Sequence, residues 1–387
     1  MNEIYFDNSA TTALCDEAKN AMYGVIDSVY GNPSSLHSVG LAAEKILQSA
    51  RADVLASLGV RGDMRQLIFC GSGSEANNLA LIGGYTSKKR KNGARVILTA
   101  GEHSSVEAAG AHLATLGADV VRLSTKNGAI DLAEFRAALT SDTVLVSCML
   151  VNNETGALYP VAEMFRLAKQ ICPDVLCHCD AVQGYTKVKF TPKSLSADFV
   201  TVSAHKIHGP KGVAALYVSP DILKRRALVP VIHGGQQENG LRAGTENTVC
   251  IAGFGAAAKV AMQNAAVYGE RIDAVSQRLL DKLSAMQEIR VNRAENSVPH
   301  IINITLPQIK SETMLHFLSG KGIFVSSGSA CSSHATSVSR ALSAFGISDK
   351  EADCSIRISL SRYNTIEEAD ALCNALAEGL ASLVRIR

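Results

Sequence analysis

The stretch VLCHCDAVQGYTKVKFTPKSLSADFVTVSAHKIHGPKG, residues 175–212, contains two short apolar segments, residues 175–181 and 198–204. Segments of this length and apolarity are typical of strands that are buried on both faces of a parallel sheet. Asp180 lies at the end of the first segment, and Lys206 follows the second. Open α/β sheets bind ligands at the carboxyl ends of their strands, so we expect Asp180 to face a ligand.

The same alternation of short apolar segments with helical stretches runs from residue 66 to residue 219. Apolar strands that are separated by helices indicate a mostly parallel sheet with helices on both faces. The sequence therefore predicts an α/β fold in which helices flank a mostly parallel sheet. The predicted strands span residues 66–70, 95–100, 119–124, 143–151, 175–181, 198–204 and 214–219.

The pattern changes in the last third of the chain, where an Ala-rich helical region is followed by short strands that alternate with helices. The last of these helices opens on Thr365 and Glu368, which have the spacing of a capping box. This pattern is typical of a smaller α+β domain. We therefore predict a large α/β domain at residues 13–255 that binds the ligand. Residues 1–12 and 256–387 are predicted to form the small domain.

Composition narrows the class of protein. The chain has 387 residues, of which 47% are hydrophobic and 19% are charged, enough for a large core. A net charge of +2 gives no reason to expect binding to nucleic acid or to a membrane. The first residues show no basic region followed by an apolar stretch, so we expect no signal peptide and a cytoplasmic protein. The ten cysteines are then expected to stay reduced.

Lys206 and Asp180 together indicate a particular cofactor. Lys206 offers an amine that could form a Schiff base, and its neighbours in residues 203–212 supply hydroxyl and imidazole donors. A carboxylate such as Asp180 can keep a pyridine nitrogen protonated, which makes the ring an electron sink. Gln183, one turn further on, could bond the ring hydroxyl. The alternative for Asp180 is a simple N-cap. This combination suits pyridoxal 5'-phosphate.

A glycine-rich segment, residues 70–78 (CGSGSEANN), follows one predicted strand and opens a helix. Free N–H groups at a helix start form an anion site, which would suit a phosphate. The segment also fits the dinucleotide fingerprint as Gly71-x-Gly73-x-x-Ala76, and Glu102 stands where a ribose-binding acid would lie. A third interpretation is a glycine-rich turn without a ligand. The pairing of Asp180 with Lys206 decides against the dinucleotide.

Two further features concern cysteine. Cys177 and Cys179 flank His178, but no second Cys or His pair at finger spacing accompanies them, so we predict no metal site. Cys331 lies in the small-residue run SSGSACSS, residues 326–333, which predicts a mobile loop that carries a thiol. Ser, Gly and Ala neighbours cannot bury Cys331 in an apolar core, whereas most single cysteines are inert and buried.

Taken in order, these motifs resemble those of the cysteine desulfurases in the class V aminotransferase family, which have the pyridoxal-phosphate-dependent transferase-like fold (fold type I). The resemblance extends from the segment DNSATT, residues 7–12, to the last helix, and the order and spacing of the motifs agree throughout. The motifs that carry it are GSE (73–75), EHS (102–104), VNNETG (151–156), DAVQ (180–183), SAHK (203–206), RAGT (242–245), SSGSAC (326–331) and SIRIS (355–359).

The resemblance implies a set of cofactor ligands. Lys206 would form the Schiff base with pyridoxal 5'-phosphate, Asp180 would pair with the pyridine nitrogen, and Gln183 would bond the ring oxygen. His103 would stack on the ring, although a His in this position is in general more often structural. The residues implied to hold the phosphate are Gly73, Ser74, Ser203 and His205, with Thr245 reaching in from a second subunit of a homodimer.

The resemblance also implies an activity, the conversion of L-cysteine to L-alanine. Arg357 and Asn153, which also borders the cofactor, would receive the substrate carboxylate, since the planar fork of Arg can bond both oxygens. Without the resemblance, the alternating pattern of residues 355–359 would place the Arg357 side chain on the solvent side of a strand. Lys206 and His103 would move protons, and Cys331 would take the sulfur as a persulfide.

From Cys331 the sulfur would pass to an acceptor protein, either an iron–sulfur scaffold or a protein of tRNA thiolation. Several alternatives stay open at this stage. They are a selenocysteine lyase, another pyridoxal-phosphate aminotransferase or lyase, a catalytically idle scaffold for sulfur-trafficking partners, and a nicotinamide oxidoreductase.

Overall fold

The computed structural model describes residues 3–88, 93–327 and 339–385. The seven strands predicted between residues 66 and 219 are present, each shorter than predicted by a residue or more. The described residues contain thirteen strands in all. They are β1 (Ile4–Tyr5), β2 (Leu67–Cys70), β3 (Arg95–Thr99), β4 (Asp119–Leu123), β5 (Thr143–Ser147), β6 (Leu176–Asp180), β7 (Phe199–Ser203), β8 (Ala214–Val218), β9 (Arg290–Asn292), β10 (Ile301–Thr305), β11 (Ile323–Phe324), β12 (Ser326–Ser327) and β13 (Ser355–Ser359).

Helices separate most of these strands, and short 3-10 turns occur between them. The helices are α1 (Asp16–Ser28), α2 (Ser38–Ser57), α3 (Gly73–Asn78), α4 (Gly84–Thr86), α5 (Ser104–Thr115), α6 (Leu132–Ala138), α7 (Val161–Ile171), α8 (Pro192–Leu195), α9 (Pro220–Arg225), α10 (Thr248–Gln263), α11 (Ala265–Ser284), α12 (Ser311–Gly320), α13 (Arg340–Phe345), α14 (Asp349–Ala352) and α15 (Ile366–Ser382).

The largest sheet has seven strands in the order β2-β8-β7-β6-β5-β3-β4. β8 runs antiparallel to both of its neighbours, β2 and β7, and the remaining neighbours are parallel. The prediction of a mostly parallel sheet flanked by helices is therefore confirmed. Because β5, β6 and β7 are parallel neighbours, their carboxyl ends meet at one edge of the sheet, where ligands bind in open α/β folds.

The sheet is stable because both of its faces are covered. Along β6 and β7, successive side chains point to opposite faces, as strand geometry requires. Leu176 and Phe199 join the apolar cluster on one face, whereas Cys177 and Val200 join the cluster on the other. All four side chains are fully buried. This double burial explains why the sequence of each strand is almost continuously apolar.

A second group of strands forms a four-stranded antiparallel sheet in the order β12-β13-β10-β9. The first residues of the chain pack against this group, since β1 pairs with β11 and Asp7 bridges to Ser359. The predicted division of the chain near residue 255 falls inside α10. The assignment of residues 13–255 and of the remainder to two domains stays a prediction.

Two helix starts have the structure that their sequences indicate. Thr365 Oγ1 accepts from the Glu368 N–H, and Glu368 Oε2 accepts from the Thr365 N–H, so the predicted capping box of α15 is confirmed. Ser72 caps α3 by accepting from the Glu75 N–H. α3 continues through a π turn, Leu79–Gly83, into α4. None of the helices within the described residues is long and apolar enough to cross a membrane.

A buried ion pair attaches the segment before α10 to the edge of the large sheet. Both nitrogens at the tip of the Arg51 guanidinium bond the Glu238 carboxylate at 2.7 Å, and each of the two residues is 5% exposed. Glu238 also accepts from the Phe69 N–H at 2.9 Å, and Arg51 donates to the Leu67 carbonyl. The pair therefore joins α2, β2 and the segment that leads to Thr245.

Arg51→Ala is expected to lower the free energy of unfolding by about 3–5 kcal/mol, because it leaves the Glu238 carboxylate buried without a cation. Urea denaturation followed by circular dichroism measures the change. Arg65→Ala is the matched control, since Arg65 pairs with Asp63 on the surface and exposed pairs contribute at most about 1 kcal/mol. Equal effects of the two substitutions would contradict this account.

Candidate active site

Asp180 lies at the carboxyl end of β6 and is 6% exposed. Its carboxylate accepts from Asn77 Nδ2 at 2.8 Å and from the Val182 N–H at 3.0 Å. These two donors stabilise a buried negative charge, which would otherwise be costly to remove from water. Asp180 is not an N-cap, because residues 182–187 form turns and no helix begins there.

Asn77 extends the Asp180 contact to His103. Asn77 Nδ2 lies 2.9 Å from Ser105 Oγ, and Ser105 Oγ lies 2.8 Å from His103 Nδ1. His103 caps α5 by accepting from the Ser105 N–H. Burial lowers the pKa of His103, and the charge of Lys206 acts in the same direction while Asp180 opposes it. His103 is therefore in its neutral form at neutral pH.

Lys206 follows β7 in a 3-10 turn. Its Nζ donates to the carbonyl of Ala10 at 2.8 Å and also to the carbonyl of Ser9. Gln183 Nε2 donates to the same Ser9 carbonyl at 3.0 Å, whereas Gln183 Oε1 is buried without a hydrogen-bond partner among the described residues. The chain's first residues thus hold both Lys206 and Gln183.

The predicted phosphate ligands come from two elements. Gly73 and Ser74 begin α3, where free N–H groups face outward. Ser203 ends β7 with its Oγ buried and without a partner among the described residues. Burial, followed by the charge of Lys206, lowers the pKa of His205 to about 4.

Arg357 is buried in β13, with 5% exposure, rather than pointing to solvent. Its two terminal nitrogens bond Asp7 Oδ1 at 2.9 Å and the Asn153 carbonyl at 3.0 Å. The Nε atom is buried without a partner among the described residues. The solvent-side interpretation of Arg357 is therefore wrong, because this short strand is buried on both of its faces.

These side chains line one cavity of about 310 Å³. Met149, Val151 and Val182 supply apolar surface beside them. The polar lining residues are Ser9, Ser72, Ser74, Asn77, His103, Asn153, Asp180, Gln183, Ser203, His205, Lys206 and Arg357. The structure thus brings most of the predicted site residues together in one lining, and the roles of the individual residues stay predictions.

Glu102 has no part in binding a ribose. Its side chain is 4% exposed, and Oε1 accepts from Thr99 Oγ1 at 2.6 Å and from the Met149 N–H at 2.7 Å. Burial raises the pKa of Glu102 to about 8, with the charge of Asp180 as a further cause. A buried and protonated acid of this kind cannot bind two ribose hydroxyls, which removes the support for the dinucleotide alternative.

Cys177 and Cys179 are both fully buried in β6. Burial raises the pKa of each thiol well above its ordinary value. Within residues 3–88, 93–327 and 339–385, no group of three or more His, Cys, Asp or Glu side chains is placed to hold a metal ion. These thiols therefore serve as small apolar side chains of the sheet.

One predicted residue is absent from the cavity lining, and a second falls outside the described residues. Thr245 is exposed and is absent from the cavity lining. Cys331 lies outside the described residues. Three residues that contact the predicted site residues were not predicted from the sequence, namely Asn77, Ser105 and Asp7. The spacing of four residues between Gly73 and Asn77, which places both on one face of a helix, is a signal that could have identified Asn77.

Comparison with known proteins agrees with this geometry. The family model for aminotransferase class-V matches residues 4–372. The chain belongs to the class-V aminotransferase family. It is similar to the protein called cysteine desulfurase NifS of Azotobacter vinelandii, with 37% identity over 99% of this chain and 94% of that protein.

Solved structures agree as well. A protein described as NifS-like superposes with a TM-score of 0.91 at 32% identity, over 99% of this chain and all of the other. A structure described as SspA in complex with cysteine superposes with a TM-score of 0.80 at 30% identity, over 94% of this chain and all of the other. The resemblance to cysteine desulfurases inferred from the motifs is thus confirmed.

Enzymes of this family depend on pyridoxal 5'-phosphate. The cavity fits that cofactor, since it combines an amine, a buried carboxylate and a helix start lined by hydroxyl groups. Three buried polar atoms without partners among the described residues, Asn77 Oδ1, Gln183 Oε1 and Ser203 Oγ, border the same space. Buried polar atoms are normally bonded, so these are groups that a polar ligand would satisfy.

Glu102→Gln is expected to change how stability depends on pH. In the folded protein the Glu102 carboxyl keeps its proton up to about pH 8, against an ordinary pKa of 4.5. As the pH rises between these values, the unfolded chain loses the proton first, so wild type loses stability by up to about 1.4 kcal/mol per pH unit.

The Gln side chain cannot ionise, so the variant should lack this loss. Urea denaturation of both proteins at pH 5, 6, 7 and 8 measures it. Glu163→Gln, in α7, is a control that should leave the wild-type slope in place. Parallel pH profiles of wild type and Glu102→Gln would show that this carboxyl is ionised in the folded protein.

Proposed function

We propose that this enzyme is a cysteine desulfurase, which converts L-cysteine to L-alanine and leaves the sulfur on Cys331. The observation that carries the proposal is that Lys206, Asp180 and Arg357 line one cavity. An amine and a carboxylate suit the cofactor, and a buried guanidinium suits the carboxylate of an amino acid. The relatives called cysteine desulfurases support L-cysteine as that amino acid.

When it is bound, pyridoxal 5'-phosphate supplies an electron sink for the substrate's α-carbon. In this proposal, Lys206 holds the cofactor and then removes the α-proton. Asp180 holds the proton of the ring nitrogen, supported by the N–H groups of Asn77 and Val182. Gly73, Ser74, Ser203 and His205 hold the phosphate, and Gln183 bonds the ring oxygen.

Arg357 and Asn153 bind the substrate carboxylate. The Arg357 side chain is held by Asp7 and by the Asn153 carbonyl, so its position is set before substrate arrives. Preorganisation of this kind reduces the entropy that binding costs. His103 accepts the proton of the substrate thiol, since burial lowers its pKa and keeps the imidazole neutral.

Sulfur transfer balances without an added oxidant or reductant. The Cys331 thiol and L-cysteine give a persulfide on Cys331 and L-alanine, so the substrate's carbon–sulfur bond breaks as a sulfur–sulfur bond forms. The persulfide then passes its outer sulfur to an acceptor protein. That acceptor belongs to iron–sulfur cluster assembly or to tRNA thiolation, and we propose that the enzyme works in the cytoplasm.

We also propose that the enzyme is a homodimer. Thr245 is exposed and lies outside the cavity lining of its own chain, as expected of a residue that serves a neighbouring subunit. Large apolar side chains are exposed in and after α1, among them Tyr23, Ile26, Tyr30 and Leu36, of which Leu36 is 92% exposed. A cluster of exposed apolar side chains in one segment supports a contact with a second subunit.

Cys331→Ala is expected to abolish persulfide formation, because the variant lacks the sulfur that attacks the substrate. Mass spectrometry of the protein after treatment with L-cysteine should find one extra sulfur atom on Cys331 in wild type and none in the variant. The cofactor's absorption should still respond to L-cysteine. Cys250→Ala, which removes a partly exposed thiol elsewhere in the chain, is the control. Normal turnover by Cys331→Ala would favour a lyase that does not use an enzyme thiol.

Arg357→Gln is expected to raise KM for L-cysteine about tenfold to a hundredfold, since hydrogen bonds to charged groups contribute about 1.5–3 kcal/mol. The absorption of the bound cofactor should stay close to that of wild type. Steady-state kinetics measures KM. Arg290→Gln is the control, because Arg290 pairs with Glu351 on the surface. A KM equal to the control value would remove Arg357 from the substrate site.

A further inference from the structure

A second cavity, of about 230 Å³, also borders Lys206. It lies between the segments that follow β6 and β7, the junction of α10 with α11, and the residues after β13. The residues assigned to the phosphate, the ring and the substrate carboxylate are absent from its lining, apart from Lys206 itself. It is therefore a separate space, which the proposed reaction does not use.

We propose that this second cavity binds a small amino acid in its zwitterionic form, with Lys187 and Arg362 holding the carboxylate. The inference rests on the charge of the lining. Lys187 and Arg362 contribute cationic side chains, whereas Asp273 is the acid in the lining. His208 and His300 add two imidazoles.

Arg362 gives the strongest support for this proposal. It is 6% exposed, and its guanidinium cannot lose its charge at any ordinary pH. Its Nη2 donates to Tyr363 Oη at 3.0 Å, and its guanidinium carbon lies 4.4 Å from the ring centre of Tyr268. Among the described residues no carboxylate pairs with it, and its buried Nε has no hydrogen-bond partner.

Lys187 is in a similar position. Its Nζ forms no hydrogen bond or ion pair with a described residue. Among the described residues, no carboxylate is paired with Lys187 or with Arg362. Burial, followed by the charge of Lys206, lowers the pKa of Lys187 to about 7. Buried charges in proteins are normally paired, so an anion from outside the chain suits this pair of cations.

Backbone conformation gives an independent observation. Thr186 has a φ of 62° and His208 a φ of 67°, and both line the cavity. A β-branched residue such as Thr rarely adopts this left-handed region. Strain of this kind concentrates at ligand sites, where the geometry is needed for binding. The strained Thr186 in the lining therefore supports a site that is built for a ligand.

The remaining lining selects the class of anion. Asp273 is exposed and would repel a multiply charged anion such as phosphate, but it would attract an ammonium group. Ala261, Ala265 and Ile272 line the cavity with apolar surface that suits a short aliphatic side chain. A zwitterion with a small side chain satisfies both signs of charge, which neither phosphate nor a simple carboxylate does.

N,N-Dimethylglycine is a suitable probe, since its tertiary amine cannot form a Schiff base with the cofactor. Isothermal titration calorimetry on the holoenzyme of Arg357→Gln, in which carboxylate binding in the first cavity is weakened, should find one saturable site of higher affinity. Adding Lys187→Met should weaken binding at least tenfold, whereas Lys189→Met, at an exposed position, should not. Absence of saturable binding, or equal affinity in the two double variants, would overturn the proposal.

Further variants allow the proposal to be tested even if one variant does not fold. If Lys187→Met does not fold, Lys187→Gln or Arg362→Gln in the same background carries the same expectation of at least tenfold weaker binding. Asp273→Asn should reduce the affinity for N,N-dimethylglycine to that for propionate, which lacks the amine. Displacement of the probe by an equal concentration of inorganic phosphate would identify a general anion site and refute the assignment to amino acids.

Discussion

The hydrogen bond between Asn77 and Asp180 is the contact on which the active site depends. A carboxylate at the end of a buried strand must be stabilised by donors, because water is excluded there. Asn77 supplies one donor and the Val182 N–H another. Asn77 also bonds Ser105 in α5, so it fixes the position of α3 relative to α5. α3 begins at the phosphate site, and His103 caps α5. One interaction thus sets the distance between the anion site, the acid and the imidazole.

The charges of the cavity are balanced by residues from distant parts of the chain. Asp7 pairs with Arg357, and the carbonyls of Ser9 and Ala10 hold Lys206. The first residues of the chain therefore connect the small antiparallel sheet with the edge of the large one. This contact explains why so short a segment is buried, and it keeps two cations in place before any ligand neutralises them.

Much of the architecture follows from the sequence alone. Double burial of the large sheet makes each strand a continuous apolar run, so strands such as β6 and β7 are visible without any structure. The end of each strand is less certain, because an apolar residue just beyond the ladder still packs against the core. Residues 148–151 illustrate this, since they are buried and apolar yet lie outside β5.

The sequence by itself determined the class of fold and the chemical groups of the site, because reactive residues stand at strand ends and helix starts with recognisable spacing. Only the tertiary structure decided which groups touch. Arg357 is buried rather than solvent-facing because Asp7 and the segment that carries Asn153 pack against it, and Glu102 keeps its proton because burial removes its carboxyl from water. Contacts such as that of Asp7 with Arg357 join residues far apart in the chain, and local pattern carries no information about such pairs.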